Sequence, residues 1–232
     1  MKRFHFDSQN EEYSLSCWPL RKLTLVTTRL ELRLPTEGEL HELAALASTE
    51  DYDPAVPPLA GRHDTPAERG RRTLQHHWHS WGTWTPERWS LDLAMFEQGR
   101  PVGIQNVRAA DFARHGAIET RMWTHHSRRG TGLCTLAHTM VLHFAFEGLR
   151  TTQALAETRK DNTPAQLVLR KFGYRTHGAD HADEQDRAVV WQGLRLTTEQ
   201  WHANRPTTNV SMRGVDECLP VFGLAPQHRP KG

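Results

Sequence analysis

The sequence predicts one mixed α/β domain, with a central, mostly antiparallel sheet flanked by helices. Three observations carry this expectation. Strand-like runs begin at Trp89, Arg100 and His115, and the first two are joined through Gln98-Gly99, a hairpin signal. From Gly132 the apolar period changes: Leu133, Leu136, Ala137, Met140, Val141, Phe144, Ala145 and Leu149 trace one face of a helix. A short apolar strand, a helix and another strand then follow, and this order with no internal repeat favours one layered domain over two.

Residues 1–20 lack periodicity and read as a loose leader, residues 21–196 as the domain, and residues 197–232 as an extension packed on it. The run from Leu23 to Pro35, alternating from Thr28 to Leu34, reads as one half-buried strand ended by the proline. Thr36 followed by Glu39 is a capping-box pattern, opening a helix through Ala47. The Pro-, Gly- and Asp-rich stretch after it is a loop, and Pro66 opens a second helix toward Trp81. Asn162-Thr163-Pro164 starts the helix that stops at Gly173, and Arg187–Leu196 is a further strand. The tail carries a short helix near Thr197–Trp201, an extended piece at Asn209–Arg213 and a turn from Asp216 to Phe222.

Composition removes several classes of function. A net charge of +2 over 232 residues gives no field suited to nucleic acid. No apolar run approaches the roughly 20 residues that span a bilayer. Cys17, Cys134 and Cys218 are dispersed, which suits a reducing cytoplasm. Fifteen histidines invite a metal, and His76 and His79 share a helix face. No carboxylate or second ligand pair accompanies them in sequence, so the expectation is a polar helix face and no metal.

The informative junction is the strand ending at Trp123-Thr124 that runs into Ser127-Arg128-Arg129-Gly130-Thr131-Gly132 and then the long helix. Two glycines let successive N–H groups converge on a ligand. A helix N-terminus adds unsatisfied amides and partial positive charge, and two arginines add forked donors. The expectation is a pyrophosphate cradle over Arg128, Arg129, Gly130, Thr131, Gly132 and Leu133. It is neither a P-loop nor a dinucleotide fingerprint, because no Lys-Ser/Thr and no GxGxxG is present. Cys134 and His138 lie one turn apart on the helix, and a buried thiol is the simpler reading than a nucleophile.

Residues from about Leu23 to Leu196 resemble GNAT acyltransferases, particularly the RimJ/RimL-type branch. The resemblance rests on Thr28–Pro35 as the opening strand, Arg100-Pro101-Val102-Gly103, Glu119–Trp123, Arg129–Gly132, Asp161–Ala165 and Lys171-Phe172-Gly173-Tyr174. It implies the GNAT fold, with its sheet splayed between the fourth and fifth strands. It further implies direct transfer of an acyl group from acetyl-CoA or succinyl-CoA to a primary amine. The pantetheine arm would pair with backbone around Trp123 and Thr124, and Asn162 would hydrogen-bond that arm. Glu119 is the candidate general base with Asp92 in reserve, because an ammonium must lose a proton before attack. Asp51 and Asp53 are candidate anchors for a cationic acceptor. Met122 and Arg121 replace a usual tyrosine and glycine. Ala165 and Leu169 stand where relatives carry the serine and tyrosine that supply a proton to the thiolate, so no general acid is named. Two further readings follow from the same resemblance. One is a natural-product enzyme taking an acyl-carrier-protein donor, docked on Arg128, Arg129, Arg159, Lys160, Arg170 and Lys171. The other is a non-catalytic acyl-CoA sensor. The expected setting is the cytoplasm, with the tail as a candidate arm of a homodimer.

Overall fold

The computed structural model describes residues 17–51, 63–182 and 189–225. Its strands are β1 (Thr24–Val26), β2 (Glu31–Arg33), β3 (Arg88–Glu97), β4 (Arg100–Ala110), β5 (Ala117–Thr124), β6 (Gln153–Arg159), β7 (Arg175–Thr176), β8 (His181–Ala182), β9 (Val190–Thr197) and β10 (Ser211–Arg213). They form one open sheet in the order β10-β1-β2-β3-β4-β5-β6-β9-β7, with β8 also on β9. Only β5 and β6 run parallel; the other pairs are antiparallel. The helices are α1 (Glu37–Ser48), α2 (Pro66–Gly82), α3 (Phe112–His115), α4 (Leu133–His143), α5 (Thr163–Lys171), α6 (Thr198–Asn204) and α7 (Val215–Cys218).

Alternation along β3 explains why both faces are covered. Leu91, Leu93 and Met95 point into the main core with Leu133, Ala137, Met140 and Val141 of α4. Ala94 and Phe96 point the other way, into a second core with Leu43 and Ala47 of α1, Ile104 and Trp123. A strand buried on two faces reads as a continuous apolar run, and one residue in this run is not apolar: Asp92, fully buried.

The local signals at helix starts hold. Thr36 and Thr65 form full capping boxes with Glu39 and Glu68, with Pro66 in the first turn of α2. Gln98 and Gly99 both take positive φ, 52° and 75°, as the tight β3–β4 turn requires. Three expectations change. Leu23–Pro35 is a hairpin rather than one strand, because the Thr27 hydroxyl accepts from the Leu30 amide and folds the chain back. The long helix loosens after His143 into a wider turn over Phe144–Gly148. The core also begins inside the expected leader, and the extension packs into it. Leu20 is fully buried in the leader, and Trp201, Cys218 and Phe222 of the extension are fully buried too. Trp201 stacks on Phe146 at 5.6 Å, and β10 closes the far edge of the sheet on β1.

The site is positioned by a divergence. β5 pairs with β6 only over Ala117–Thr120 against Gln153–Ala156. β4 keeps hold of β5 as far as Thr124, and β9 keeps hold of β6 as far as Arg159. The two parallel strands therefore part from Arg121 and Glu157 onward.

Candidate active site

Antiparallel pairing fixes which backbone groups face the gap. The His125 amide donates to the Val102 carbonyl at 2.9 Å, so by alternation Trp123 and Arg121 also turn their backbone toward β4. Met122 and Thr124 turn theirs toward the gap. Trp123 is thus a core residue, 5% exposed, and the strand edge turned to the gap is that of Met122 and Thr124; the Thr124 carbonyl accepts from Arg129 Nε at 3.4 Å. A Cβ at Gly103 would collide with the Trp123 carbonyl, so glycine is what lets β4 lie against β5 there.

The loop from His125 to Gly132 is held by its side chains. Glu50, buried at the end of α1, accepts from the His126 amide at 2.6 Å and from its Nδ1 at 2.9 Å. Its other oxygen accepts from Arg129. Glu97, at the end of β3, pairs with Arg128 at 3.3 Å and with Arg29 at 2.9 Å. Arg29 also donates to the Thr131 carbonyl at 2.8 Å, and the Thr131 hydroxyl donates to the Arg128 carbonyl at 2.7 Å. Both arginines expected to reach phosphate are therefore engaged within the protein. The backbone is the opposite. The amides of Gly130, Thr131 and Gly132 have no acceptor among the described residues. Gly130 and Gly132 sit at φ 75° and 83°, and an added Cβ would meet nothing within 4 Å at either. Gly132 caps α4, whose first residue, Leu133, is fully buried. The loop thus presents free amides at a helix start, a fitting anion cradle.

Glu50, His125 and His126 place one donor atom each within 4.8 Å of one another, close enough for a metal ion. Both Glu50 oxygens already accept hydrogen bonds, one from a guanidinium, so the cluster works as a clasp on the loop. Thr124, one residue earlier, contacts the Cys134 sulfur through its hydroxyl at 3.1 Å. His138 is not aligned with that sulfur; its Nε2 meets the Tyr174 hydroxyl at 3.2 Å. Asn162 caps α5 by accepting from the Ala165 amide at 3.1 Å, and its side-chain NH2 has no acceptor among the described residues.

The opposite face of β3, β4 and β5 forms a small, shallow pocket lined by His76, Ser90, Asn106, Arg108, Arg121, Met122 and Trp123 among others. Its floor is a polar network. Asp92 Oδ1 meets His76 Nε2 at 3.2 Å and accepts from Asn106 Nδ2 at 2.7 Å. Asn106 also donates to the Ser90 hydroxyl at 2.8 Å. Asp92 Oδ2 is buried without a partner among the described residues. Burial opposes ionisation of both members. The His76 and Asn106 hydrogen bonds and the nearby histidine charges nonetheless hold the Asp92 carboxyl below its ordinary value. Burial likewise opposes a charged His76, but the Asp92 hydrogen bond and charge prevail and its pKa is raised.

Glu119 lies on the same face, exposed, with one oxygen bound by two guanidinium nitrogens of Arg108. Arg121 pairs across the parting strands with Glu157 at 3.6 Å. Asp51 is exposed just beyond α1, and Asp53 lies outside the described residues. Of the basic residues considered for a carrier protein, Arg159 pairs with Asp161 and Lys160 with Asp180, each at 2.6 Å. A second, more open depression lies beside Phe112, Arg114 and Leu219. It contains none of the predicted residues.

The sequence offers Asp92 only as a reserve base and His76 only as part of a polar helix face; the structure brings the two together. The signal was present: a carboxylate inside an apolar, two-face-buried strand needs a partner, and α2 is the helix that covers that face.

Comparison with known proteins agrees with this geometry. A family model described as an acetyltransferase (GNAT) domain matches residues 29–175. The fold is similar to RimJ of Mycobacterium smegmatis in complex with CoA-disulfide (14% identity, TM-score 0.61, covering 86% of this chain and 94% of that one). It is also similar to a GCN5-related N-acetyltransferase from Brucella melitensis (18%, TM-score 0.61, 80% and 82% covered). A spermidine N-acetyltransferase chimera of Vibrio cholerae SpeG and hSSAT matches as well (14%, TM-score 0.56, 75% and 99% covered).

Proposed function

The chain belongs to the GNAT acetyltransferase family, and we propose that it transfers an acyl group from acyl-CoA to a primary amine by direct attack on the thioester. The observation that carries this reading is the angle between β5 and β6 opening beside the free amides of Gly130, Thr131 and Gly132. The amides of the 129–133 loop and the start of α4 would hold the pyrophosphate, with Arg128 and Arg129 shaping the loop. The Met122 and Thr124 backbone would pair with the pantetheine arm and face the developing oxyanion, and the free amide of Asn162 would reach the same arm. The acceptor would enter on the α2 side, over Asp92 and Glu119, with Asp51 and Asp53 near the entrance to steer a cation. Acetyl and succinyl are the donor groups considered. Free CoA is favoured over a carrier protein, because Arg128, Arg129, Arg159 and Lys160 already have acidic partners. RimJ/RimL-type relatives among similar folds suit this assignment, as does a cytoplasmic setting.

Calorimetry with acetyl-CoA and succinyl-CoA tests the cradle. Micromolar binding that Gly130→Asp with Gly132→Asp weakens at least about 100-fold, roughly 2.7 kcal/mol, is the expected result. Binding unchanged by the two carboxylates would remove the loop from the donor site. No binding at all would remove the CoA donor.

A further inference from the structure

The reaction proposed above consumes a neutral amine, while an alkylamine is an ammonium near neutral pH. We infer that His76 is the catalytic residue that takes this proton, through Nδ1, and that Asp92 is its positioning residue. This rests on the N-acyltransferase reading of the site. His76 lines the same pocket as Met122 and Trp123, where β5 turns away from β6, so the imidazole stands on the acceptor side of the thioester position. Its Nε2 is bound to Asp92 Oδ1, and Asp92 is itself fixed by Asn106. A carboxylate acceptor keeps the proton on Nε2 and leaves the lone pair on Nδ1. Nδ1 is not buried and has no partner among the described residues. Glu119, the carboxylate predicted for this task, has one of its oxygens engaged by Arg108 and lies exposed.

The proton balance is direct. Nδ1 takes one proton from the ammonium, giving an imidazolium held by the Asp92 carboxylate. The freed nitrogen lone pair forms the N–C bond as the carbonyl pair moves onto oxygen. Collapse breaks the C–S bond, and the thiolate leaves with that pair. The second nitrogen proton passes to water, and the imidazolium returns its proton to water or to the thiolate.

The charged and titratable groups facing His76 are Asp92 on β3, His77 on its own helix, Arg108 on β4, and Glu119 and Arg121 on β5. Asp92 raises the imidazole pKa and Arg108 lowers it. Removing the carboxylate therefore moves the acid limb of activity to lower pH.

The test uses the full chain, acetyl-CoA and whichever of benzylamine, spermidine, an aminoglycoside or an unblocked peptide it acetylates fastest. His76→Gln is expected to lower kcat about 100-fold or more, with KM within about threefold and the acid limb of kcat/KM lost. Calorimetric donor binding and a near-native melt would show that the variant is folded. In Asp92→Asn the limb moves down in pH, in Glu119→Gln it remains, and added imidazole partly restores His76→Ala. A limb intact in His76→Gln overturns the inference while transfer by the parent chain preserves the N-acyltransferase reading. Donor binding without transfer to any of the four amines fails that reading instead. The dyad is then judged by nitrogen-15 NMR: a proton on Nε2 and a His76 pKa that falls by about one unit or more in Asp92→Asn supports it. A pKa that does not move overturns it.

Discussion

On the loop leading into α4 the side chains are paired and the backbone is open, whereas on the pocket face of β3, β4 and β5 the arrangement is reversed. Glu50, Glu97 and Arg29 tie down the loop, and the amides of Gly130, Thr131 and Gly132 are what it offers. Across the strand, the ladder consumes the backbone of Asn106 and Arg121, and what lacks a partner among the described residues is on side chains: Nδ1 of His76 and Oδ2 of Asp92. The difference follows from the ligand each part would serve. A pyrophosphate needs several converging donors without strong directionality toward one atom, which a short run of amides supplies. Proton transfer needs one nitrogen in one tautomer, which only a side chain with a fixed partner supplies.

Three perturbations sharpen this contrast, apart from the cradle and dyad variants already described. The largest concerns a histidine with no carboxylate. His138 is fully buried on the α4 side, bonded to the Tyr174 hydroxyl, and burial lowers its pKa from 6.5 to about 4. A neutral His138 costs nothing above pH 6.5. As pH falls from 6.5 toward 4 the unfolded chain takes up the proton first, so folding loses stability through that window, on the order of 3 kcal/mol. Melting temperatures across that range should flatten in His138→Gln, and a curve as steep as the parent's would reject the assignment. His76, beside Asp92, should give no such loss on acidification through its ordinary range, because its folded pKa is raised.

Next in size is the clasp. Glu50→Ala removes a buried carboxylate that accepts from the His126 amide and from Arg129. Arg129 can turn to water, so the expected cost is about 2–3 kcal/mol, read as a drop of several degrees in melting temperature. Donor affinity should fall with it. Equal affinity in the variant would mean that the loop keeps its shape without the clasp. The smallest effect is at Arg128, half exposed and paired with Glu97. Arg128→Ala should weaken acyl-CoA binding only about two- to fivefold, the size of a solvated ion pair. A loss of 100-fold by calorimetry would show that the arginine leaves Glu97 for the ligand.

Much of the loop before α4 was legible in the chain because its signals are local. Glycines at positive φ, a helix start and capping boxes are set by neighbours a few residues apart, and each appears where its residues demand. The pocket on the α2 side was legible only in part. Asp92 announced itself as a charge in an apolar strand, but its partner lies 16 positions away on a helix whose rotation over the sheet no local pattern states. The expected roles of Arg128 and Arg129 missed the same kind of fact, since Glu97 and Glu50 reach them from distant elements. Strand parity, set by the register with β4, turns the Met122 and Thr124 backbone toward the gap and that of Trp123 toward β4, which no local pattern states.

By itself, then, the sequence determined the strand and helix order, the tight turn at Gln98-Gly99, the starts of α1, α2 and α5, and the glycine loop before α4. These depend on backbone preferences and short-range hydrogen bonds that are complete within one turn or one hairpin. Tertiary structure alone decided that Leu23–Pro35 folds back as a hairpin, that the tail returns to β1 and fills the core with Trp201 and Phe222, and that His76 meets Asp92. Those outcomes depend on which apolar faces bury each other and on which buried charges must then find partners, and neither is defined until the elements pack.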